Sequence, residues 1–143
     1  NNVTAYGLAV EHYQKNEVIW SGQGGNVIFF QNENPYDPPS QAAWEVSTTQ
    51  LGYPAFLVSP SVTTFQGYGM GSYSFFNVPG ITPPIHNTEA FEAPNSPGVH
   101  FHDIFTIFLS TAGFGGIDSV INGTGGATTA QDPDYPEDVI SYP

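Results

Sequence analysis

The sequence of 143 residues has no cysteine, no arginine and one lysine, Lys15. Without cysteine there is no disulfide framework, no thiolate zinc site and no thiol nucleophile. One cation stands against 13 Asp and Glu, giving a formal net charge of −12. Nucleic acid is therefore excluded as the main partner, because phosphate backbones are bound through Lys and Arg that displace counterions. An anionic membrane surface is disfavoured for the same reason. The arginine forks that usually grip carboxylate or phosphate ligands are missing too. Salt bridges must be few, so stability has to come from apolar packing and backbone hydrogen bonds. No apolar run approaches the ~20 residues of a membrane-spanning helix. The first residues, NNVTAYG, contain neither a basic n-region nor an apolar h-region; any signal peptide is expected to have been removed already.

Aromatic residues are abundant, with 11 Phe, 8 Tyr and 2 Trp. Rings of that size supply much of the burial in a core, so the chain reads as folded despite its net charge. Sixteen Gly and 13 Pro imply many turns, and a turn-rich, aromatic-rich composition favours β structure. GLAVEHY (7–13), EVIW (17–20) and NVIFFQ (26–31) read as strands. The last two, separated by SGQGG, read as a hairpin. NENPYDPP is a proline-bounded loop, and SQAAWE is the one helical turn, with Ser40 as N-cap after Pro39. YPAFLV (53–58), interrupted by Pro54, suits a sheet edge. The glycines of GYGMGSYSFFN suggest a bulged strand or a close backbone approach. VHFHDIFTIFL (99–109), apolar on nearly every residue of its second half, reads as a central strand. IDSVIN (117–122) reads as a further strand. The expected organisation is one all-β domain over residues 1–131 followed by an acidic tail over 132–143, which includes DPDYPED. The expected architecture is a β-sandwich or a terminal β-helix-like segment with long Pro/Gly loops.

Several groups of residues could carry chemistry. Glu11 and Glu33 each sit at a strand edge beside aromatic residues. Glycoside hydrolysis needs two carboxyls across the scissile bond: one protonated to assist the leaving oxygen, the other, in an inverting enzyme, activating water. Aromatic rings nearby can stack on sugar faces, and an arginine-free, negative pocket suits a neutral polyol. In His100-x-His102, period-2 alternation puts both imidazoles on one strand face, with Asp103 adjacent and His12 or His86 available as a further ligand; the plainer alternative is two polar residues on an outer face, and no metal or other cofactor is assigned. The Gly-rich stretches contain no nucleotide-binding loop. The triplets at Asn2 and Asn122 are N-glycosylation sequons, compatible with a secreted chain.

GLAVEHY, FFQNENPYD and the SQAAW segment, followed by GYGMGSYSFFNV, PNSPGVHFHDIFTIFL and IDSVINGTGG, resemble in order and spacing the C-terminal portion of glycoside hydrolase family 55. They are also similar to related secreted bacterial and fungal proteins that carry a discoidin-like module. The resemblance runs from about Tyr6 to Pro143. It implies a secreted exo-β-1,3-glucanase built from two right-handed β-helices and acting with inversion. It further implies that Glu33, before the Pro-Tyr pair, is the general acid, and that Glu11, in the EH strand, belongs to the network holding the attacking water. From chemistry alone, Tyr36 and Trp44 are candidate sugar-contacting rings. Members of that family are several times longer than this chain. The resemblance therefore implies either an acid-bearing segment acting on polysaccharide with a larger upstream chain, or an extracellular structural or glycan-binding protein that associates with copies of itself.

Overall fold

The computed structural model describes residues 1–143 and contains strands and a single 3₁₀ turn. The chain winds in coils whose strands stack into shared sheets. The first coil holds β1 (Thr4–Ala9) and β2 (Val18–Trp20). The second holds β3 (Gly25–Glu33), the 3₁₀ turn Gln41–Ala43, β4 (Glu45–Ser47), β5 (Gln50–Leu51) and β6 (Phe56–Val58). The third holds β7 (Phe65–Ser74), β8 (His86–Asn87) and β9 (Phe91–Glu92). The fourth holds β10 (Val99–Phe108) and β11 (Gly116–Ile117), and the chain finishes with β12 (Thr128–Thr129) and β13 (Glu137–Tyr142). β1, β3, β7 and β10 are parallel neighbours in the largest sheet, and β2, β6 and β9 in a second. Stacked parallel strands of this kind are a β-helix, the second of the two expected architectures.

One backbone feature runs across the large sheet. Gly7, Phe29, Gly69 and Asp103 all have positive φ, between 52° and 64°. They occupy one column, between the rung Tyr6–Ile28–Tyr68–His102 and the rung Leu8–Phe30–Met70–Ile104. Each such residue inserts one position into the alternation, so Ile28 and Phe29, or His102 and Asp103, both face outward. The inward set resumes with Phe30, Met70 and Ile104, all at most 1 % exposed. The bulge expected in GYGMGSYSFFN is thus a property of the whole stack. Close approach operates as well: a Cβ at Gly71 would lie 2.5 Å from the Phe105 ring.

Apolar side chains fill the coil interior in two clusters. The larger joins Val27, Phe30, Phe56, Phe65, Phe91 and Phe101 with other residues of all four coils. The smaller comprises Trp44, Phe76, Ile85, Phe108 and Ala130. Fully buried Asn32, Ser72 and Thr106 form an inward polar rung of the large sheet.

Four local expectations are corrected. EVIW and NVIFFQ do not form a hairpin: β2 pairs with β6 and β3 with β1 and β7, and the Gly-rich segment between them is a coil corner. β6 is not an edge but the middle strand of its sheet, since Pro54 lies just before it and withholds no ladder donor. GLAVEHY ends as a regular strand at Ala9. Residues 132–143 are not simply a tail: β13 lies antiparallel on β10, with Val139 opposite Ile104 and 8 % exposed. Val139 and Tyr142 supply the inward contacts that the surrounding acids obscure. β10 is central in its hydrogen bonding, between β7 and β13, although its outward Phe105 and Ile107 are only partly buried.

Candidate functional site

Glu33 is the last residue of β3. The Asn34 amide still donates to the Tyr73 carbonyl at 2.9 Å, but Pro35 has no N–H and the ladder stops there. The chain then turns back, fixed by the Asn77 amide donating to the Tyr36 carbonyl at 2.8 Å. This return brings the Tyr36 hydroxyl onto Glu33, where it donates a short hydrogen bond to Oε2. Phe75 meets the Tyr36 ring edge-to-face, with centroids 5.4 Å apart.

Glu11 reaches the same place from the first coil. Beyond the end of β1 the backbone keeps its pairing with β3: the Val10 amide donates to the Gln31 carbonyl and the His12 amide to the Glu33 carbonyl at 2.8 Å. His12 has φ of 60°, and there the chain leaves the sheet. Gln31 Nε2 donates to Glu11 Oε1 at 3.1 Å. The His12 ring packs edge-on against Tyr36, centroids 4.5 Å apart, and its Nε2 lies 3.7 Å from Glu33 Oε2. His12, Gln14, Pro35, Tyr36, Asp37 and Asn77 line an open hollow of about 380 Å³ beside the carboxyl.

The electrostatics follow from this crowding of acids. Tyr36 is pushed up to about 12, first by its hydrogen bond to Glu33, then by burial and by the charges of Glu33 and Glu11. Its phenol therefore stays protonated at neutral pH as a fixed donor. Glu17, a few residues beyond Glu11, is pushed up to about 7, chiefly by burial, with the Glu11 charge adding to it and a bond from the Tyr13 amide opposing it.

Of the residues singled out in the sequence, Glu11, Glu33 and Tyr36 are brought together. Trp44 is not with them, and its assignment as a sugar-contacting ring is corrected. It is 2 % exposed and packs on Phe76 and Tyr53 in the smaller core cluster, with no face open to a ligand. Asn122 is also committed elsewhere: Nδ2 donates to the Ala93 carbonyl and the Tyr142 hydroxyl, and Oδ1 accepts from the Ala93 amide. A glycan on that nitrogen would take the place of one of its two donated bonds. Asn2 is exposed. His100 and His102 do share one face, ring centroids 6.4 Å apart, and His102 stacks on Tyr68. No group of three potential ligands forms around them. Sequence reasoning missed Gln31 and Glu17, and it treated His12 only as a spare ligand. The EH dipeptide was the available signal for His12; Gln31 and Glu17 carry none without the fold.

The LAM55 pectate lyase-like domain model matches residues 1–33, the segment that ends on Glu33. Over all 143 residues the chain is 46 % identical to an exo-β-1,3-glucanase of Streptomyces sp. SirexAA-E, covering 22 % of that protein. The solved structure of sacteLam55A from the same organism superposes with a TM-score of 0.88 at 44 % identity, over 99 % of this chain and 25 % of that one. A glutamate-to-alanine variant of that enzyme, in complex with glucose, gives a TM-score of 0.87 at 43 % identity, over 99 % of this chain and 24 % of that one. The chain thus spans a quarter or less of the length of these relatives and resembles their C-terminal portion.

Proposed function

We propose that this chain is the acid-bearing segment of a secreted, family 55-type glycoside hydrolase acting on β-1,3-glucan, and that it works together with an upstream chain. The observation that carries this reading is the Glu33 carboxyl, clasped through Oε2 by Tyr36, whose ring lines the hollow with His12, and Glu11 presented from the neighbouring coil and bound by Gln31. In this reading protonated Glu33 gives its proton to the leaving glucosyl oxygen. Tyr36 holds Oε2 and stabilises the carboxylate left behind, and Oε1, which has no hydrogen bond within the chain, faces the substrate. Glu11, oriented by Gln31, helps to activate the water that attacks the anomeric carbon from the opposite face. His12 walls the hollow beside Glu33. The need for an upstream chain is supported by the share of the relatives that this chain spans.

Replacing Glu33 by Gln in the complete assembly is expected to cut laminarin hydrolysis by about 10²–10⁴-fold with the circular dichroism spectrum unchanged. Full activity in that variant would overturn the assignment. Hydrolysis by the isolated 143-residue chain would overturn the dependence on an upstream partner.

A second reading rests on a different observation. β1 has a strand neighbour on one side only, and Val3, Tyr6 and Ile19 are 52 %, 74 % and 60 % exposed. Such an edge can pair with another copy of the chain, making an extracellular self-assembling or glycan-binding protein on a hydrolase scaffold. Regular polymers that form equally well after Glu33→Gln, from a chain without hydrolytic activity in any assembly, would favour it.

A further inference from the structure

The loop that delivers Glu11 and His12 is closed by a group outside the catalytic pair. Between the end of β1 at Ala9 and the start of β2 at Val18 the chain forms no strand. At its first half the loop is tied to β3 through the Val10 and His12 amides. At its second half, Asn16 Nδ2 donates to the Pro54 carbonyl at 2.7 Å and the Val18 amide to the Ala55 carbonyl at 2.9 Å. One bond joins the two halves: the Tyr13 amide donates to Glu17 Oε1 at 2.9 Å. The other oxygen of that carboxyl, Oε2, is buried and has no hydrogen-bond partner. A carboxyl so placed can remain neutral at modest cost, but as an anion it is buried without a donor on one oxygen.

We propose that Glu17 is a positioning residue for the Glu11–Glu33 site: its bond to the Tyr13 amide holds the loop that carries Glu11 and His12, and loss of its proton opens that loop. The proposal deepens the hydrolase reading and rests on it for its effect on catalysis, while the loop opening itself can be measured without any substrate.

The charged surroundings reinforce the sense of the switch. Glu11 is the charge that acts on Glu17, and it repels the ionised form. Lys15, the only side-chain cation, is exposed on the same loop and does not contribute to that balance. From the neighbouring coil, Pro54 and Ala55 present backbone carbonyls, and Phe56 is the strand partner of Val18. Glu33, Tyr36 and His12 lie at the far end of the loop, around the hollow. No cation is therefore placed to stabilise the Glu17 anion in the closed loop. In an opened loop the carboxyl meets water and returns to its ordinary value of 4.5, against about 7 when closed. By linkage, the opening equilibrium should rise roughly tenfold per pH unit between those two values and then level off.

Amide hydrogen exchange of Tyr13 in this chain, followed from pH 4 to pH 9 by NMR and corrected for intrinsic exchange, tests the proposal. In the wild type, opening is expected to follow the rise and plateau just described. In Glu17→Gln, which keeps an acceptor for the Tyr13 amide but carries no titrating proton, opening is expected to be independent of pH. A wild-type Tyr13 amide whose opening does not change with pH would overturn the proposal, and so would the same dependence persisting in Glu17→Gln. Should that variant fail to fold, the wild-type curve decides alone. In the complete assembly, the alkaline limb of the kcat/KM profile on laminarin should move upward by about one pH unit or more in Glu17→Gln. An assembly that never hydrolyses laminarin removes the hydrolase reading and leaves the exchange result to judge the loop.

Discussion

In the proposed hydrolase reading, Glu33 holds a proton for the leaving oxygen and then releases it, and its neighbours bear on that role. The Tyr36 hydroxyl donates to one carboxyl oxygen and so fixes its orientation. Removing that donor with Tyr36→Phe should lower kcat by about 10–100-fold, the equivalent of one hydrogen bond to a charged group, with little change in thermal midpoint. Trp44→Ala should do the opposite. Its loss from the smaller cluster is expected to reduce stability by about 3–5 kcal/mol in urea unfolding, and any effect on activity should follow from that instability. The sequence could not separate these two rings. Both follow proline-rich stretches near Glu33, and both are ordinary sugar platforms in composition. What separates them is long-range: Trp44 meets Phe76 of the following coil, whereas Tyr36 is turned back onto its own strand end by Asn77. That Glu11 and Glu33 share one neighbourhood, by contrast, was legible, because the EH and NENPY motifs are local and the resemblance paired them.

The elements show why local patterns misled in places. A Gly-rich segment between two short apolar runs fits both a hairpin and a coil corner. The choice depends on partners far along the chain, such as Gly25 with Phe65. Pro54 looked like an edge marker because its position just ahead of β6, where no ladder donor is needed, cannot be read without the neighbouring strands. The acidic stretch concealed β13, since Val139 is the only residue of that strand classed as buried. The all-β class and the bulged strand were legible from composition and glycine spacing, and the Ser40-capped turn was legible from its motif: the Ala43 amide donates to Ser40 Oγ at 3.2 Å. The glycines with positive φ allow a direct test. At Gly69 an added Cβ would meet nothing within 4 Å, so Gly69→Ala should lose only the conformational preference, about 1–2 kcal/mol. At Gly115, with φ of +83°, the Cβ would fall 1.7 Å from the Ile85 carbonyl oxygen. Gly115→Ala should therefore cost clearly more than Gly69→Ala in the same denaturant titration, because the coil corner itself must move.

For the molecule as a whole, the charge balance governs how stability depends on pH. Glu17 and Glu89 are both pushed up to about 7, in each case first by burial, and for Glu89 next by the Glu92 charge. A carboxyl raised on folding keeps its proton in the native state after the unfolded chain has lost it. Its contribution is fully present below about 4.5 and declines as pH rises to about 7. The net charge of −12 adds repulsion in the same direction. The thermal midpoint should thus be higher at pH 5 than at pH 8, and scanning calorimetry at the two values checks it. The edge of β1, with a strand neighbour on one side only and Val3 and Tyr6 exposed, belongs to this scale too.

The role of Glu33 is tested most directly by a pair of substrates whose leaving groups differ in their need for a proton. Laminarin requires protonation of the departing oxygen; a dinitrophenyl β-glucoside does not. Measured in the complete assembly, Glu33→Gln should reduce laminarin turnover by about 10²–10⁴-fold while leaving cleavage of the dinitrophenyl glucoside near the wild-type rate. Equal loss on both substrates, or no loss on either, would contradict Glu33 as the general acid.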